Sequence, residues 1–232
     1  MLKILLIAQG AKWWEVALET MEKYGATFAR RFFSRGFRKT WEYTGVWLYT
    51  NWLGVPALKK PLDLWIYQEI MWETRPQVLV ESGSGKGGSA LFFASIFDLI
   101  GEGRVVTIDV QDMASRTLTH PRITTIVGSS VSDDVVRQVR EIVGRQSAMV
   151  SLDSDHSASH VLREMELYSQ FVSVGNYMVV EDTGIRGPGP GKAVREFLRH
   201  RSDFVQDRTR EKFMVTSCHG GFLKRIQTRQ QP

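Results

Sequence analysis

A repeated alternation of short apolar segments with helical runs is the feature that most constrains the fold of this chain. Five apolar segments lie at residues 77–82, 104–110, 122–128, 147–153 and 176–182. Short runs of this kind are typical of strands buried in a parallel sheet. Between two of them, residues 132–144 have Ser132 as an N-cap, apolar residues at helical spacing and Gly144 as a stop. Repeated βα units predict an α/β fold, a parallel sheet with helices on both faces.

Further elements flank this central region. Residues 61–76 are predicted to form a helix, with Pro61 at its start and Pro76 just past its end. A turn-rich GPGPG segment leads into a helix over residues 192–200. Strands near FMVTS (213–217) and GFLKRI (221–226) are predicted to close the sheet as an antiparallel pair.

Length and cysteine content narrow the class of protein. The 232 residues fit one large α/β domain with an extension, and Cys218 is the sole cysteine, so no intrachain disulfide is expected. No apolar run approaches the ~20 residues of a membrane-spanning helix. We therefore expect a cytoplasmic protein without a membrane span.

The net charge of +5 is concentrated near the two ends of the chain. Basic ends of this kind are either solvated surfaces or attachment sites for phosphates or an anionic surface. Acidic residues interrupt the C-terminal basic run, and no nucleic-acid motif accompanies it. We favour solvated surfaces and expect no nucleic-acid partner.

The first part of the chain is aromatic and irregular. Three tryptophans and two tyrosines lie between residues 41 and 52. Large aromatic side chains of this kind either pack against the sheet domain or form a lid over a substrate pocket. We predict an N-terminal aromatic and helical extension at residues 1–58 and an α/β domain at residues 59–232.

The segment ESGSGKGGS (81–89) lies between a predicted strand and a predicted helix. Glycines in such a loop let the backbone approach a ligand, and the N–H groups of the helix face it. Gly83, Gly85 and Gly88 satisfy G-x-G-x-x-G, so a dinucleotide site has to be considered, whereas the residues around Lys86 exclude a P-loop. The loop predicts a cofactor site without choosing the cofactor.

Two acidic strand ends narrow the choice of cofactor. Glu81 precedes the first glycine, where a carboxylate would repel a pyrophosphate and could hold an ammonium group. Asp109 ends the next strand, where it could accept hydrogen bonds from ribose hydroxyls. A ligand with an amino group and a ribose fits S-adenosylmethionine better than NAD. We predict that S-adenosylmethionine is bound by Glu81, Gly83, Ser84, Gly87, Ser89, Asp109 and Ser129.

Acidic pairs also follow the fourth and fifth predicted strands. Asp153 and Asp155 follow one strand, and Glu181 and Asp182 follow the next. Parallel strands bring their carboxyl ends together at the edge where α/β sheets bind ligands, so these carboxylates would repel one another. Helix capping explains one acidic residue but not a second pair on a neighbouring strand. We predict that the four carboxylates hold Mg²⁺.

His156 lies beside this acidic cluster and precedes a predicted helix with Ser157 at its N-cap position. It is either a structural residue or a general base, and we predict the base. His160, one turn further, is less suited to that role.

Two other kinds of site are disfavoured by the sequence. Zinc is disfavoured because no Cys/His ligand set has suitable spacing, and a serine hydrolase is disfavoured because no G-x-S-x-G motif is present.

Several segments together resemble the cephalosporin-hydroxylase-like family, from about Trp52 to Ile226. They are WLGVPALKKPLDLWIYQEIMWETRP, ESGSGKGGSALFFAS, LDSDHSASHVL, VVEDT and GPGPGKAVREFL. The resemblance implies the Rossmann-like fold of class I S-adenosylmethionine-dependent methyltransferases, with a mostly parallel seven-stranded sheet and an antiparallel last strand. It also implies an O-methyltransferase with a Mg²⁺ site, with Glu81, the glycine loop and Asp109 for the cofactor. The ligand spacing of similar enzymes selects Asp153 and that of closer relatives selects Asp155, so both residues stay open as the direct metal ligand.

Three functions are compatible with these features. The first, which we predict, is Mg²⁺-assisted O-methylation of a small-molecule hydroxyl on a sugar or glycosylated natural product. The second is an accessory or oxidative role in antibiotic tailoring, which the absence of a 2-His-1-carboxylate motif weakens. The third is a non-catalytic cofactor-binding scaffold, against which the four carboxylates and His156 argue. The protein could act as a homo-oligomer.

Overall fold

The computed structural model describes residues 36–37, 40–41, 43–114, 118–184, 189–213 and 215–228. Contacts divide the chain into two units, Met1–Gly45 and Val46–Pro232. In the described part of the first unit, the rings of Phe37 and Trp41 stack with centroids 5.9 Å apart. The predicted extension over residues 1–58, and its role as a lid, stay predictions.

The second unit begins with a 3-10 helix, Val46–Tyr49, and a short hairpin of β1 (Asn51–Trp52) and β2 (Val55–Pro56). The helix α1 (Pro61–Thr74) follows, with its proline at the first helical position as predicted. Trp52 packs on the sheet domain, since its Nε1–H donates to Ser95 Oγ at 3.0 Å and its ring meets Phe92 edge-on. Tyr49, in contrast, is 77% exposed.

A seven-stranded sheet forms the centre of the second unit within the described residues. Its strands are β3 (Val78–Ser82), β4 (Arg104–Asp109), β5 (Ile123–Val127), β6 (Ala148–Leu152), β7 (Tyr177–Val180), β8 (Phe204–Gln206) and β9 (Phe222–Arg225). The spatial order is β5-β4-β3-β6-β7-β9-β8. The first five of these pair in parallel, and β9 is antiparallel to both of its neighbours. The predicted sheet is confirmed.

Helices cover both faces of the sheet. They are α2 (Gly88–Ile100), α3 (Asp133–Val143), α4 (Ala158–Tyr168) and α5 (Pro190–Arg199). One apolar core joins the sheet to α3, α4 and α5, and a second joins it to α1 and α2. Ser132 caps α3 as predicted, because its hydroxyl accepts the N–H of Val135.

One predicted strand is wrong. Among its described residues, the FMVTS segment is irregular, and β8 is the strand that pairs with β9. Polar side chains take the backbone N–H groups that a strand would need: Asp63 Oδ2 accepts that of Ser217 at 2.8 Å, and Thr216 Oγ1 accepts that of Cys218 at 2.9 Å. In the described ranges, none of the helices combines the length and apolar character needed to cross a bilayer.

Candidate active site

The carboxyl ends of three neighbouring strands lie side by side at one edge of the sheet. The N–H of Asp153, just after β6, donates to the carbonyl of Ser82 in β3 at 2.9 Å. The N–H of Glu181, just after β7, donates to the carbonyl of Leu152 in β6 at 3.0 Å. The two acidic segments predicted to meet therefore do meet, because parallel pairing places these strand ends in register.

The glycine loop is pressed against this same edge. The N–H groups of Gly83 and Ser84 donate to Ile108 O at 2.8 and 3.2 Å. Gly83 has φ +88°, and a Cβ atom at this position would lie 1.9 Å from the carbonyl oxygen of Asp153. Only glycine satisfies both the backbone angle and the close approach. The loop and the acidic segment are thus packed directly on each other.

A cavity of about 450 Å³ opens between the glycine loop and the ends of β4, β5 and β6. Volumes of this size are typical of small-molecule and cofactor sites. Backbone and small side chains form much of its wall. The lining residues are Ala57, Leu58, Gly83, Ser84, Gly85, Ser89, Ile108, Asp109, Val110, Gly128, Ser129, Ser130, Asp153, Ser154, Asp155 and His160.

Asp109 lines this cavity and anchors the loop. Its Oδ2 accepts the N–H of Gly85 and its Oδ1 accepts the N–H of Gln111, both at 2.9 Å. A carboxylate has about four acceptor positions, so two remain for a ligand. Ser84, Ser89 and Asp109, predicted to bind cofactor, are therefore brought together at one cavity.

Glu81 is placed differently from the expectation that it contacts the ligand. It is fully buried beneath the loop and does not line the cavity. Its Oε2 accepts the hydroxyl of Thr107 at 2.7 Å, and Thr107 is hydrogen-bonded in turn to Ser84 at 2.6 Å. Burial raises the pKa of Glu81, while the nearby Lys59 ammonium opposes that rise. Among the described residues, its Oε1 accepts no hydrogen bond of good geometry, and the nearby Ser89 hydroxyl helps to lower the pKa of this carboxyl group.

Gly87 and Ser129 complete the predicted cofactor set. Gly87 is the N-cap of α2 with φ +89°, and it lies outside the cavity wall. Ser129 lines the cavity, and its carbonyl accepts the hydroxyl of Ser132 at 2.8 Å.

Three ligand atoms lie close enough to hold one cation. They belong to Asp153, His156 and Asp182, and all lie within 4.8 Å of one another. His156 Nε2 is 3.6 Å from Asp153 Oδ1 and 3.4 Å from Asp182 Oδ2. The neighbouring carboxylates, Asp153 first, raise the pKa of His156 above its ordinary value. We call these three residues the cation cluster.

Asp182 is held in a strained backbone conformation. Its φ of +53° lies in the left-handed region, where residues other than glycine are uncommon. Burial raises the pKa of its carboxyl group, and the charge of Asp153 adds to the rise. Strain of this kind concentrates at functional sites, where the surrounding structure imposes it.

A lysine that the sequence did not single out contacts carboxylates that follow β6 and β7. We call the four carboxylates that follow these strands the acidic edge: Asp153, Asp155, Glu181 and Asp182. Lys59 Nζ donates to Asp153 Oδ2 at 2.7 Å and to Glu181 Oε1 at 2.6 Å. Burial disfavours its ammonium, but attraction to both carboxylates outweighs that effect and raises the pKa of Lys59 well above its ordinary value. The same ammonium overcomes burial at Asp153 and lowers the pKa of that carboxyl group. The only sequence signal was a pair of lysines before Pro61, which also suits a solvated turn.

Glu181 belongs to this buried network and not to the cation cluster. Besides Lys59, its Oε1 accepts the hydroxyl of Tyr67 at 2.7 Å and that of Ser151 at 3.4 Å. Burial raises its pKa, with Lys59 opposing. Tyr67, from α1, is a second functional neighbour that no sequence pattern indicated.

Asp155 also lies outside the cation cluster, on the cavity wall. Its Oδ1 accepts the N–H of Ser157 at 2.7 Å, and the side chain is exposed. Ser157 is the N-cap residue of α4 as predicted, but its own side chain makes no cap bond, so the acidic residue supplies it. His160 lines the cavity, with Nε2 3.2 Å from Ser130 Oγ.

A family model described as Rhamnosyl O-methyltransferase/CmcI matches residues 44–226. The match covers the sheet, the glycine loop and both acidic segments. The chain belongs to this family. Membership confirms the resemblance seen in the sequence and, with it, the prediction of an O-methyltransferase.

Mycobacterial relatives carry the same family name. A rhamnosyl O-methyltransferase of Mycobacterium tuberculosis is 36% identical over 201 residues, which cover 80% of this chain and 82% of that protein. One from Mycobacterium leprae is 36% identical over 203 residues, covering 80% of this chain and 87% of that protein.

Solved structures agree on the fold. A structure of CmcI with Mg and SAM aligns with a TM-score of 0.62 at 22% identity and covers 77% of each chain. At this identity the likeness concerns the fold, and it confirms the predicted class I methyltransferase architecture.

Proposed function

We propose that this O-methyltransferase transfers a methyl group from S-adenosylmethionine to a hydroxyl of a sugar or glycosylated natural product, with Mg²⁺ at the cation cluster. The observation that carries the proposal is the cation cluster beside the cavity under the glycine loop. The mycobacterial relatives named rhamnosyl O-methyltransferases support a sugar acceptor.

The cavity suits the proposed cofactor. The remaining acceptor positions of Asp109 would receive ribose hydroxyls, and Ser84, Ser89 and Ser129 would surround the rest of the ligand. Glu81 has one buried oxygen that accepts no hydrogen bond of good geometry among the described residues, which fits a cationic amino group better than a phosphate. Because this carboxylate lies beneath the loop, we propose that it acts partly by holding Thr107 and Ser84 in place.

The donor set of the cation cluster fits a hard cation. Asp153 and Asp182 offer carboxylate oxygens, the ligands that Mg²⁺ prefers, and leave positions for water or substrate. When bound, Mg²⁺ supplies charge that stabilises an ionised hydroxyl, and S-adenosylmethionine supplies the methyl group. The cluster has one imidazole rather than two, so an oxidative role of the 2-His-1-carboxylate type is not proposed.

Side chains of the cation cluster would hold the cation and accept the proton of the acceptor hydroxyl. The carboxylates of Asp153 and Asp182 would hold the cation, and His156, left uncoordinated beside them, would receive on Nε2 the proton that the acceptor hydroxyl loses. His156 is about half exposed, so it can return that proton to solvent. We propose that Asp155 and Glu181 support the cluster from its margins, Asp155 by capping α4 and Glu181 through Lys59 and Tyr67.

Binding and chelation experiments test this proposal. Calorimetry should show S-adenosylhomocysteine binding with no detectable NAD binding, and EDTA should abolish methyl transfer to a rhamnosyl or other sugar acceptor until Mg²⁺ is added. NAD binding without S-adenosylhomocysteine binding would refute the cofactor assignment. Full turnover after thorough chelation would refute a catalytic metal.

A further inference from the structure

Lys59 is one of the most deeply buried charges in the described part of the chain. It lies between β2 and α1 and is 3% exposed. A lysine is rarely buried to this extent unless its ammonium is paired, because an unpaired charge away from water is very costly. The two partners of this ammonium therefore indicate its role.

Those partners come from the two strand ends that form the acidic edge. The ammonium bridges Asp153 and Glu181 at 2.7 and 2.6 Å. Asp153 uses its two oxygens differently, since Oδ2 accepts from Lys59 while Oδ1 faces His156 in the cation cluster. The ammonium and a cation at the cluster would thus share one carboxylate.

We propose that Lys59 is a built-in counter-ion of the acidic edge, which compensates Asp153 and Glu181 before a divalent cation binds at the cluster. This inference deepens the proposed function and rests on its cation site. Lys59 acts through the charges of these two carboxylates.

The proposal has two measurable consequences. Without the ammonium, the metal-free protein should melt at a lower temperature, because removing one partner of a buried ion pair leaves the other charge uncompensated. Removing a positive charge that shares a ligand with the cation should also strengthen divalent-cation binding. A purely structural lysine would give the first effect but not the second.

The test compares Lys59→Met with Arg201→Met. Arg201 is also a buried cation, 8% exposed, and it pairs with Asp203 at 2.7 Å away from the acidic edge. Melting temperatures are measured in EDTA and in excess Mg²⁺, and the Mg²⁺ affinity of the metal-free protein is measured by calorimetry. These readouts do not depend on turnover.

In EDTA, both variants should melt on the order of 10 °C below wild type. Mg²⁺ should recover at least half of the deficit of Lys59→Met and none of that of Arg201→Met. The Mg²⁺ affinity of Lys59→Met should rise by at least ~10-fold over wild type. A deficit that is the same in EDTA and Mg²⁺, or an unchanged or weaker Mg²⁺ affinity, would overturn the proposal.

Two further variants keep the result decisive. If Lys59→Met does not fold in EDTA, Lys59→Gln retains a hydrogen-bond donor without the charge and is judged by the same two criteria. Adding Asp153→Asn to Lys59→Met removes the charges of Lys59 and Asp153 but leaves Glu181 without its partner, so this variant should regain part of the stability lost in EDTA and lose the response to Mg²⁺. A double variant that still responds to Mg²⁺ would contradict the shared carboxylate.

Failure of this inference can be told apart from failure of the proposed function. Wild type without measurable Mg²⁺ affinity would remove the metal from the proposed function. If Lys59→Met binds Mg²⁺ although wild type does not, the counter-ion role is supported and the metal of the proposed function is not. If neither protein responds to Mg²⁺, both proposals fall.

Discussion

The glycine-loop half and the acidic half of the candidate site are assembled in different ways. The loop is held mainly by backbone hydrogen bonds and by Asp109, which accepts from Gly85 only 24 residues away. The acidic edge is held by Lys59, whose partners Asp153 and Glu181 lie 94 and 122 residues away in the sequence. One half is a local motif, and the other depends on a distant segment that delivers a charge.

This difference explains how each half tolerates its own charges. Asp109 lines the cavity and accepts two backbone N–H groups, so it needs no buried ion as a partner. Glu181 is buried and Asp153 is only 22% exposed, so unpaired carboxylates would be costly at both positions. Lys59 pairs with both carboxylates, so the stability of the acidic half should depend on every charge in this network.

The largest effect is expected from changing the acidic half. Asp153→Asn should lower kcat by about 10³-fold, because a metal site stabilises its transition state by several kcal/mol. Asp155→Asn, two residues on, should stay within about tenfold, because its cap bond to Ser157 needs only an oxygen acceptor. Steady-state kinetics at saturating Mg²⁺ distinguishes them, and the reverse order would make Asp155 the direct ligand.

His156→Ala comes next. If the imidazole is the general base, kcat should fall by at least ~10²-fold while binding of S-adenosylhomocysteine and Mg²⁺ is preserved. His200→Ala, at an exposed helix end, is the control and should leave turnover unchanged. Turnover of a folded His156→Ala protein within a few-fold of wild type would exclude His156 from the mechanism.

Substituting Gly83, where the glycine loop packs on the Asp153 segment, should lower the free energy of unfolding. Gly83→Ala would place a Cβ 1.9 Å from Asp153 O, whereas Gly101→Ala has a similar positive φ and open space around it. Both variants bear the backbone penalty of about 1–2 kcal/mol, and Gly83→Ala should lose about 2 kcal/mol more through overpacking. Urea denaturation measures the difference, and equal losses would show that the loop and the Asp153 segment can separate.

The smallest effect is expected in the glycine-loop half. Asp109→Ala should weaken S-adenosylhomocysteine about tenfold, which corresponds to about 1.4 kcal/mol for hydrogen bonds to a charged acceptor. Asp134→Ala, on the exposed face of α3, is the matched control. Calorimetry measures both affinities, and an unchanged value for Asp109→Ala would remove the ribose contact from the proposal.

The sequence by itself determined the framework of the protein. Alternating apolar strands and helices specified the parallel sheet, since each strand buried on both faces reads as a short apolar run. The acidic residues at the strand ends, the glycine loop and the cap at Ser132 were also legible, because each depends on neighbours within a few residues. The strand predicted at FMVTS failed because Asp63, far away in sequence, takes one of its backbone N–H groups.

Only the tertiary structure decided how the acidic residues divide their work. It placed Asp153 and Asp182 with His156, turned Glu181 toward Lys59 and Tyr67, and gave Asp155 a capping bond. In the sequence, a lysine beside Pro61 looks the same whether it faces solvent or a buried carboxylate. The choice depends on which segments meet at a sheet edge, and burial then determines how strongly the charges that meet there interact.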